Sequence, residues 1–494
     1  MGKSRREGTC PGRLRPGTAA AVIAVALLSG CSVGEDYQRP EVAVPAAWAE
    51  SAEPVWPDVD WWRRFNSPVL ETLMRRAMDG NFDLAAAMAR VRQADAQVGI
   101  AGASLLPNLG ASLGPTRQHQ PNLSPRAAPG SKGTQSTTYN ATLSASYEID
   151  FWGKNAAMRE AAEATARGSR FDERTVALTI QAGVANTYFQ VLAFRDRIEV
   201  ARVDIDNALG SLMAIRDRER AGLATTLDVA QQESIVAIQR AIIAPLEQQL
   251  RQNLNALALL TGQLPADAPV QGGTLAEVTE PPVMAGLPSE LLARRPDVRN
   301  AESQLMAANA DITAARAALF PSLQLTAQGG LTSLALTTLV QARSVLFSLA
   351  GSLTQSIFDN GLRENQVELK RARHEELLAV YRKAVLSAFL DVENALIAVR
   401  KTAEEEEAQR IAERTARRAY EISQAQLKGG IVDITSVLNT QRTLFQTHDA
   451  WLQARLAHFQ ATVGLFKALG GGWTEEAGEI GGAGKTNTEG TKPG

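Results

Sequence analysis

The chain has 494 residues and a formal net charge of −2, from 51 basic and 53 acidic side chains. That balance excludes a broad electrostatic grip on nucleic acid. Hydrophobic residues make up 45% of the sequence and aromatics only 5%. Such an alanine-rich, aromatic-poor chain has apolar surface for two or more domains and suits long, closely packed helices.

The N-terminus reads as an export signal. Lys3, Arg5, Arg6, Arg13 and Arg15 form a basic region, and an apolar run from Ala19 to Leu28 follows. The run is too short to span a bilayer as a mature helix. Leu28-Ser29-Gly30-Cys31 then places small residues before a cysteine, in the manner of a bacterial lipobox. In that reading residues 1–30 are removed, Cys31 carries lipid, and Cys10 leaves with the signal, so no cysteine remains for a disulfide or a metal. Ser32, rather than an aspartate, follows Cys31, which in enterobacteria-like sorting permits transfer to the outer membrane. The uncharged stretch 317–342 is poor material for a spanning helix, because it holds Pro321, Gly329, Gly330 and many Ser, Thr and Gln. Membrane attachment would therefore be peripheral, by lipid, or through a β-barrel.

The body of the chain is an internal repeat. Leu106-Pro107-Asn108-Leu109 meets Phe320-Pro321-Ser322-Leu323 at an offset of 214. Gly153, Gly222, Val229 and Gly262 meet Gly361, Gly430, Val437 and Gly470 at an offset of 208. The expected organisation is a segment 31–65 behind the lipid, repeats over 66–270 and 288–470, a Pro-rich linker 271–287 and a Gly-, Thr- and Glu-rich tail 471–494. Each repeat predicts the order helix, strand pair, long helix, turn, helix.

The strands carry the sharpest signal. Tyr139, Ala141, Leu143, Ala145, Tyr147, Ile149 and Phe151 alternate with Asn140, Thr142, Ser144, Ser146, Glu148 and Asp150, a period of two over thirteen residues. Strands are expected at about 107–116 and 138–151, and again at about 321–329 and 348–358. One apolar and one small-polar face suits a barrel in lipid with a wet lumen, the loops 119–137 and 331–348 facing outside the cell. A soluble sandwich would need about seven strands. Spanning barrels start at about eight strands and tolerate no open edge, so four strands per chain require several chains to share one barrel.

The helices are long. No proline interrupts 154–220 or 362–428, and each run would extend roughly 100 Å. Gly222 and Gly429-Gly430 supply stop chemistry, and returning helices are expected near Thr225 and Asp433. Pro245 predicts a break of the first returning helix into two stacked pieces.

Several segments together resemble the outer membrane factor family, the TolC-like exit ducts of tripartite efflux systems, and within it the NodT-like lipoprotein branch. They are Cys31–Tyr37, Trp61-Trp62 with Phe65, Tyr147–Gly153, Gly222–Gln231, Gly286–Val298, Ile357–Gly361 and Leu469–Trp473. The resemblance implies a mainly α fold with a membrane β-barrel: a homotrimer with a twelve-stranded barrel joined to a long α-helical periplasmic barrel. It implies a passive exit duct for small molecules. The partners would be a periplasmic adaptor (membrane fusion) protein, an inner-membrane transporter of the resistance-nodulation-division (RND) type and outer-membrane lipid. A type I protein-secretion duct shares the fold, and a lipid-tethered periplasmic coiled-coil protein is the rival from another class.

In that family the helix pairs converge at the periplasmic tip, where charged residues gate the tunnel. The matching turns are 221–228 and 429–442. Asp228 matches a family acidic position and Arg442 a family arginine, whereas Ser436 and Asn439 stand where many relatives carry aspartate. Asn439 would then bond to Arg442 or a neighbour. Thr225-x-x-Asp228 reads equally as a capping box, and Asp433 as an N-cap.

No catalytic constellation and no cofactor motif emerge. His119, His374, His448 and His458 form no i, i+4 pair, so no metal site is expected, and each reads as solvated or packed. Gly481–Thr486 mimics a P-loop but has its leading glycine misplaced and no strand before it.

Overall fold

The computed structural model describes residues 33–49, 55–121, 133–267, 270 and 272–471. Cys31, the signal segment before it and the P-loop-like run in the tail lie outside the described residues. Contacts divide the chain into two units. Among the described residues, no helix is long and apolar enough to cross a membrane.

The elements follow the repeat. The first carries α1 (Pro68–Gly80), α2 (Phe82–Ala103), β1 (Asn108–Gln120), β2 (Thr134–Ile149), α3 (Lys154–Arg220) and α4 (Thr226–Leu260). The second carries α5 (Pro288–Arg294), α6 (Pro296–Ala317), β3 (Ser322–Ser333), β4 (Val345–Thr354), α7 (Leu362–Lys428) and α8 (Ile434–Ala468). The long helices α3 and α7 are 67 residues each, and the returning α4 and α8 are 35 each. Two helices open each repeat where periodicity suggested one. Asn81 divides α1 from α2: its Oδ1 accepts the N–H groups of Asp83 and Leu84, and its Nδ2 donates to the Leu260 carbonyl. Arg295, held extended before Pro296, divides α5 from α6.

The first unit, 1–40, 93–166 and 303–378, holds a four-stranded sheet ordered β1-β2-β3-β4, antiparallel throughout. β1 outlasts the apolar alternation because its polar end, Thr116–Gln120, still pairs with Thr134–Thr138. Pro115 is tolerated because β1 is an edge strand. Phe151 and Trp152 lie beyond β2, in the turn before α3. There the Trp152 ring stacks on Phe320 at 4.6 Å, and its indole N–H donates to the Pro321 carbonyl.

The second unit, 41–92, 167–302 and 379–494, holds the main apolar core. Trp61 stacks on Phe466 at 5.0 Å, and Phe65 packs on Phe189 at 4.9 Å, all four fully or almost fully buried. Linker residues Leu275 and Met284 are buried with them. Arg195 of α3 donates to the carbonyls of Val270 and Gly272, and Asp196 accepts the Leu275 N–H at 2.9 Å. Burial pushes the Asp196 carboxyl above its ordinary range, with the Leu275 N–H and Arg455 opposing that rise.

The expected break at Pro245 does not occur: α4 runs through it from Thr226 to Leu260. The proline forfeits one backbone hydrogen bond, but its ring is exposed, and the adjacent Leu246 is buried against Ile198 and Ala201 of α3. Packing on the neighbouring helix keeps the segment in line.

Candidate functional site

Directly opposed residues of an antiparallel sheet project to the same face. The register pairs Leu109 with Ala145, Ala111 with Leu143 and Leu113 with Ala141. Tyr147, Ala145 and Leu143 meet Leu325, Ala327 and Gly329, which in turn meet Gly351, Leu349 and Phe347. One face therefore gathers the apolar positions of all four strands. The opposite face carries Ser112, Thr142, Ser144, Gln324, Thr326, Gln328 and Ser348. It is laced by hydroxyl and amide bonds, such as Ser112 to Thr142 at 2.7 Å and Thr332 to Asn140 at 2.8 Å.

Among the described residues, nothing covers the apolar face. Leu113, Phe347 and Leu349 are 80%, 89% and 81% exposed. A contiguous apolar surface of this kind requires lipid or protein against it. Among the described residues, β1 and β4 each pair on one side only, so the sheet also has two free rims.

The helix turns are built twice from the same parts. After α3, Leu223 N–H donates to the Arg218 carbonyl and Gly222 N–H to that of Glu219; after α7, Ile431 donates to Gln426 and Gly430 to Leu427. Both are Schellman closures, and Gly222 and Gly430 sit at φ of 75° and 71°, where a β-carbon would be strained. The next helix is then capped with the chemistry exchanged between repeats. At α4 the cap is Thr225, with Asp228 at the third position accepting the Thr225 N–H at 2.8 Å. At α8 the cap is Asp433, with Ser436 at the third position donating both its N–H and its hydroxyl to the Asp433 carboxylate at 2.9 Å. Those bonds hold the Asp433 carboxyl below its usual range. Ser436 is thus the partner of an aspartate three residues earlier, and each turn keeps one carboxylate.

Among the described residues, the others expected at the tip make no hydrogen bond or ion pair with these. Arg442 is exposed and lines a cavity of about 460 Å³ with Arg197, Asp204 and Asp449. Asn439 is exposed, and its carbonyl accepts the Thr443 hydroxyl. Of the two expected alternatives for Asn439, Arg442 or a neighbour, no bond to Arg442 is found among the described residues.

Sequence reasoning missed the buried polar layer behind the turns. Gln232 donates to the Ala208 carbonyl and to Gln441 Oε1, and Gln441 donates to the Tyr420 hydroxyl at 3.2 Å. It missed Arg295 as well, which donates to Asp297, Asp391 and the Ala468 carbonyl. Burial opposes that charge, but the two carboxylates outweigh it and raise the guanidinium pKa. His458 is clamped between Glu280 of the linker and Glu406 of α7, at 2.6 Å and 2.8 Å. Burial works against the charged ring, yet the paired carboxylates hold its pKa up at about 9. The three side chains lie close enough to face a metal ion. However, each ring nitrogen already meets a different carboxylate and Arg455 approaches Glu406 at 3.9 Å, which is the arrangement of a paired imidazolium. No spacing rule would have found this clamp, because the partners of His458 are 52 and 178 residues away.

The chain belongs to the outer membrane efflux protein family, whose model matches residues 73–263 and 287–471. It is 43% identical to the pyoverdine export outer membrane protein OpmQ of Pseudomonas aeruginosa, over 92% of this chain and 97% of that protein. It is 31% identical to the probable outer membrane lipoprotein SilC of Salmonella typhimurium, over 92% and 98%. Its fold matches the open state of the MtrE outer membrane channel of Neisseria gonorrhoeae with a TM-score of 0.81, at 29% identity, over 90% of this chain and 99% of that one. It is an efflux protein of the outer membrane, with its helices in the periplasm.

Proposed function

We propose that three copies of this chain close one twelve-stranded barrel and that their helices form a passive periplasmic tunnel for small molecules, without enzymatic chemistry. One observation carries this reading: the sheet has an uncovered apolar face and two unpaired rims. Lipid satisfies the face, and only further strands satisfy the rims. A periplasmic adaptor and an RND-type inner-membrane transporter would deliver the cargo. Small organic solutes fit as cargo, in keeping with a pyoverdine exporter among the relatives. Lipidation at Cys31 would anchor each copy, and the lipoprotein relative supports it.

In the same reading Asp228, Asp433, Ser436, Asn439 and Arg442 contribute to the gate at the tunnel tip, the two carboxylates held at the turns by their caps. The test is the mature protein in mild detergent. A trimer mass, together with stable conductance in planar bilayers, is expected. A folded monomer that never inserts would overturn the proposal.

A further inference from the structure

His448 of α8 is buried between α3 and α7. Its Nε2 lies 2.7 Å from the Glu413 carboxylate and 2.5 Å from Arg417 Nη2. Its Nδ1 lies 3.5 Å from Asp204 Oδ1, and neither of those two atoms has a hydrogen-bond partner among the described residues. The other charged or titratable groups here are Arg197 of α3, paired with Asp449 of α8, then Arg442 of α8 and Tyr420 of α7; α4 contributes Gln239 and apolar side chains. Asp204, Glu413 and Arg417 together leave one negative charge in excess at a buried position.

We propose that His448 is a proton-operated lock between α8 and the two long helices. The site has two hydrogen-bonding states that differ by one proton. In the neutral state Nε2 is an acceptor for Arg417, and Nδ1–H faces Asp204 beyond normal bonding distance. In the protonated state both ring nitrogens donate, Nε2 to Glu413 and Nδ1 to Asp204, and the excess charge is neutralised. Arg417 then loses its ring acceptor but keeps Glu413, and its half-exposed side chain can turn to water. Protonation therefore shortens the α3–α8 contact and strengthens the α7–α8 contact. The lock sits fourteen residues beyond the start of α8 and sixteen before the end of α3, about four turns from the capped ends. Acid thus stiffens the stretch that would have to move if the tip opens.

The lock rests on the channel reading only for its consequence, so the test reads the helices directly. Amide hydrogen exchange of segment 434–447 is measured on the full mature protein in detergent at pH 5.5 and 7.5, corrected for intrinsic exchange. About tenfold greater protection at pH 5.5 is expected in the wild type, with no pH response in His448→Gln. Asp204→Asn, which keeps the volume and removes the acceptor charge, should also lose the response, and it serves if His448→Gln fails to fold. An equal pH response in wild type and both variants, or none in the wild type, overturns the lock. Bilayer recordings on the same preparations should show lower open probability at pH 5.5 in the wild type alone. Protection that follows pH in a protein with no conductance at any pH upholds the lock and counts against the channel reading.

Discussion

Gln232 donates to the Gln441 side-chain oxygen at 3.2 Å, in a place where neither residue touches solvent. The pair joins α4 to α8 behind their capped ends, and Tyr420 extends it to α7. Gln441→Leu would leave the Gln232 amide and the Tyr420 hydroxyl each short of a partner in a buried layer. A loss of about 2 kcal/mol is expected, seen as a lower thermal midpoint by circular dichroism in detergent. An unchanged midpoint would mean that water or a rotated amide replaces the bond.

His458 makes stability depend on pH in a direction opposite to that of an ordinary buried histidine. Its folded pKa is raised to about 9. The contribution is therefore fully present below the unfolded value of about 6.5 and disappears as pH rises through 9. Between pH 6.5 and 9.5 the wild type should lose on the order of 2 kcal/mol more than His458→Gln. Parallel melting curves across that window would remove the clamp from consideration.

Arg295→Met leaves Asp297 and Asp391 without their shared cation and the Ala468 carbonyl without a donor. A loss of about 3 kcal/mol is expected, and Arg295→Lys should recover only part of it, because one ammonium cannot reproduce the forked geometry. Thermal melts of the three proteins decide this.

Asp228→Asn combined with Arg442→Ala should enlarge the solutes that leak through reconstituted channels, while either change alone leaks less. Liposome swelling with sugars of graded size measures it. Asp433→Asn retains a capping oxygen but removes the second turn's carboxylate, so it should add to the leak of Asp228→Asn if both charges line the tip. Conductance and sieving equal to wild type in the combined variants would assign Asp228 and Asp433 to capping alone and exclude Arg442 from the gate.

Leu349→Arg puts a cation on the apolar sheet face. Near the bilayer midplane that costs about 2–4 kcal/mol per chain, so outer-membrane yield should fall sharply. Ser348→Arg, one residue away on the other face, should insert normally and alter conductance.

Much of this architecture was legible in the residues themselves. Alternation from Tyr139 to Ile149 disclosed which side of β2 is apolar, because a strand alternates its faces every residue. Gly222 and Gly430 marked both turns, since only glycine takes positive φ there without strain. Pro245 misled because a local rule was overridden by the packing of Leu246. The end of β1 was hidden because Thr116–Gln120 is polar on both faces and is held by pairing alone. At the tip, the caps were readable from Thr225-x-x-Asp228 and from Asp433. The buried Gln232–Gln441 layer and the two clamped histidines were not, because tertiary contacts between distant helices create them.

The free rims of β1 and β4 bear on how such a molecule is made. In the trimer proposed above, a copy not yet assembled would carry two unsated strand borders and a greasy sheet, for which its own kind would be both the cure and the chief hazard. If further copies close those rims, as proposed, maturation is a meeting of chains and its yield should depend on expression level.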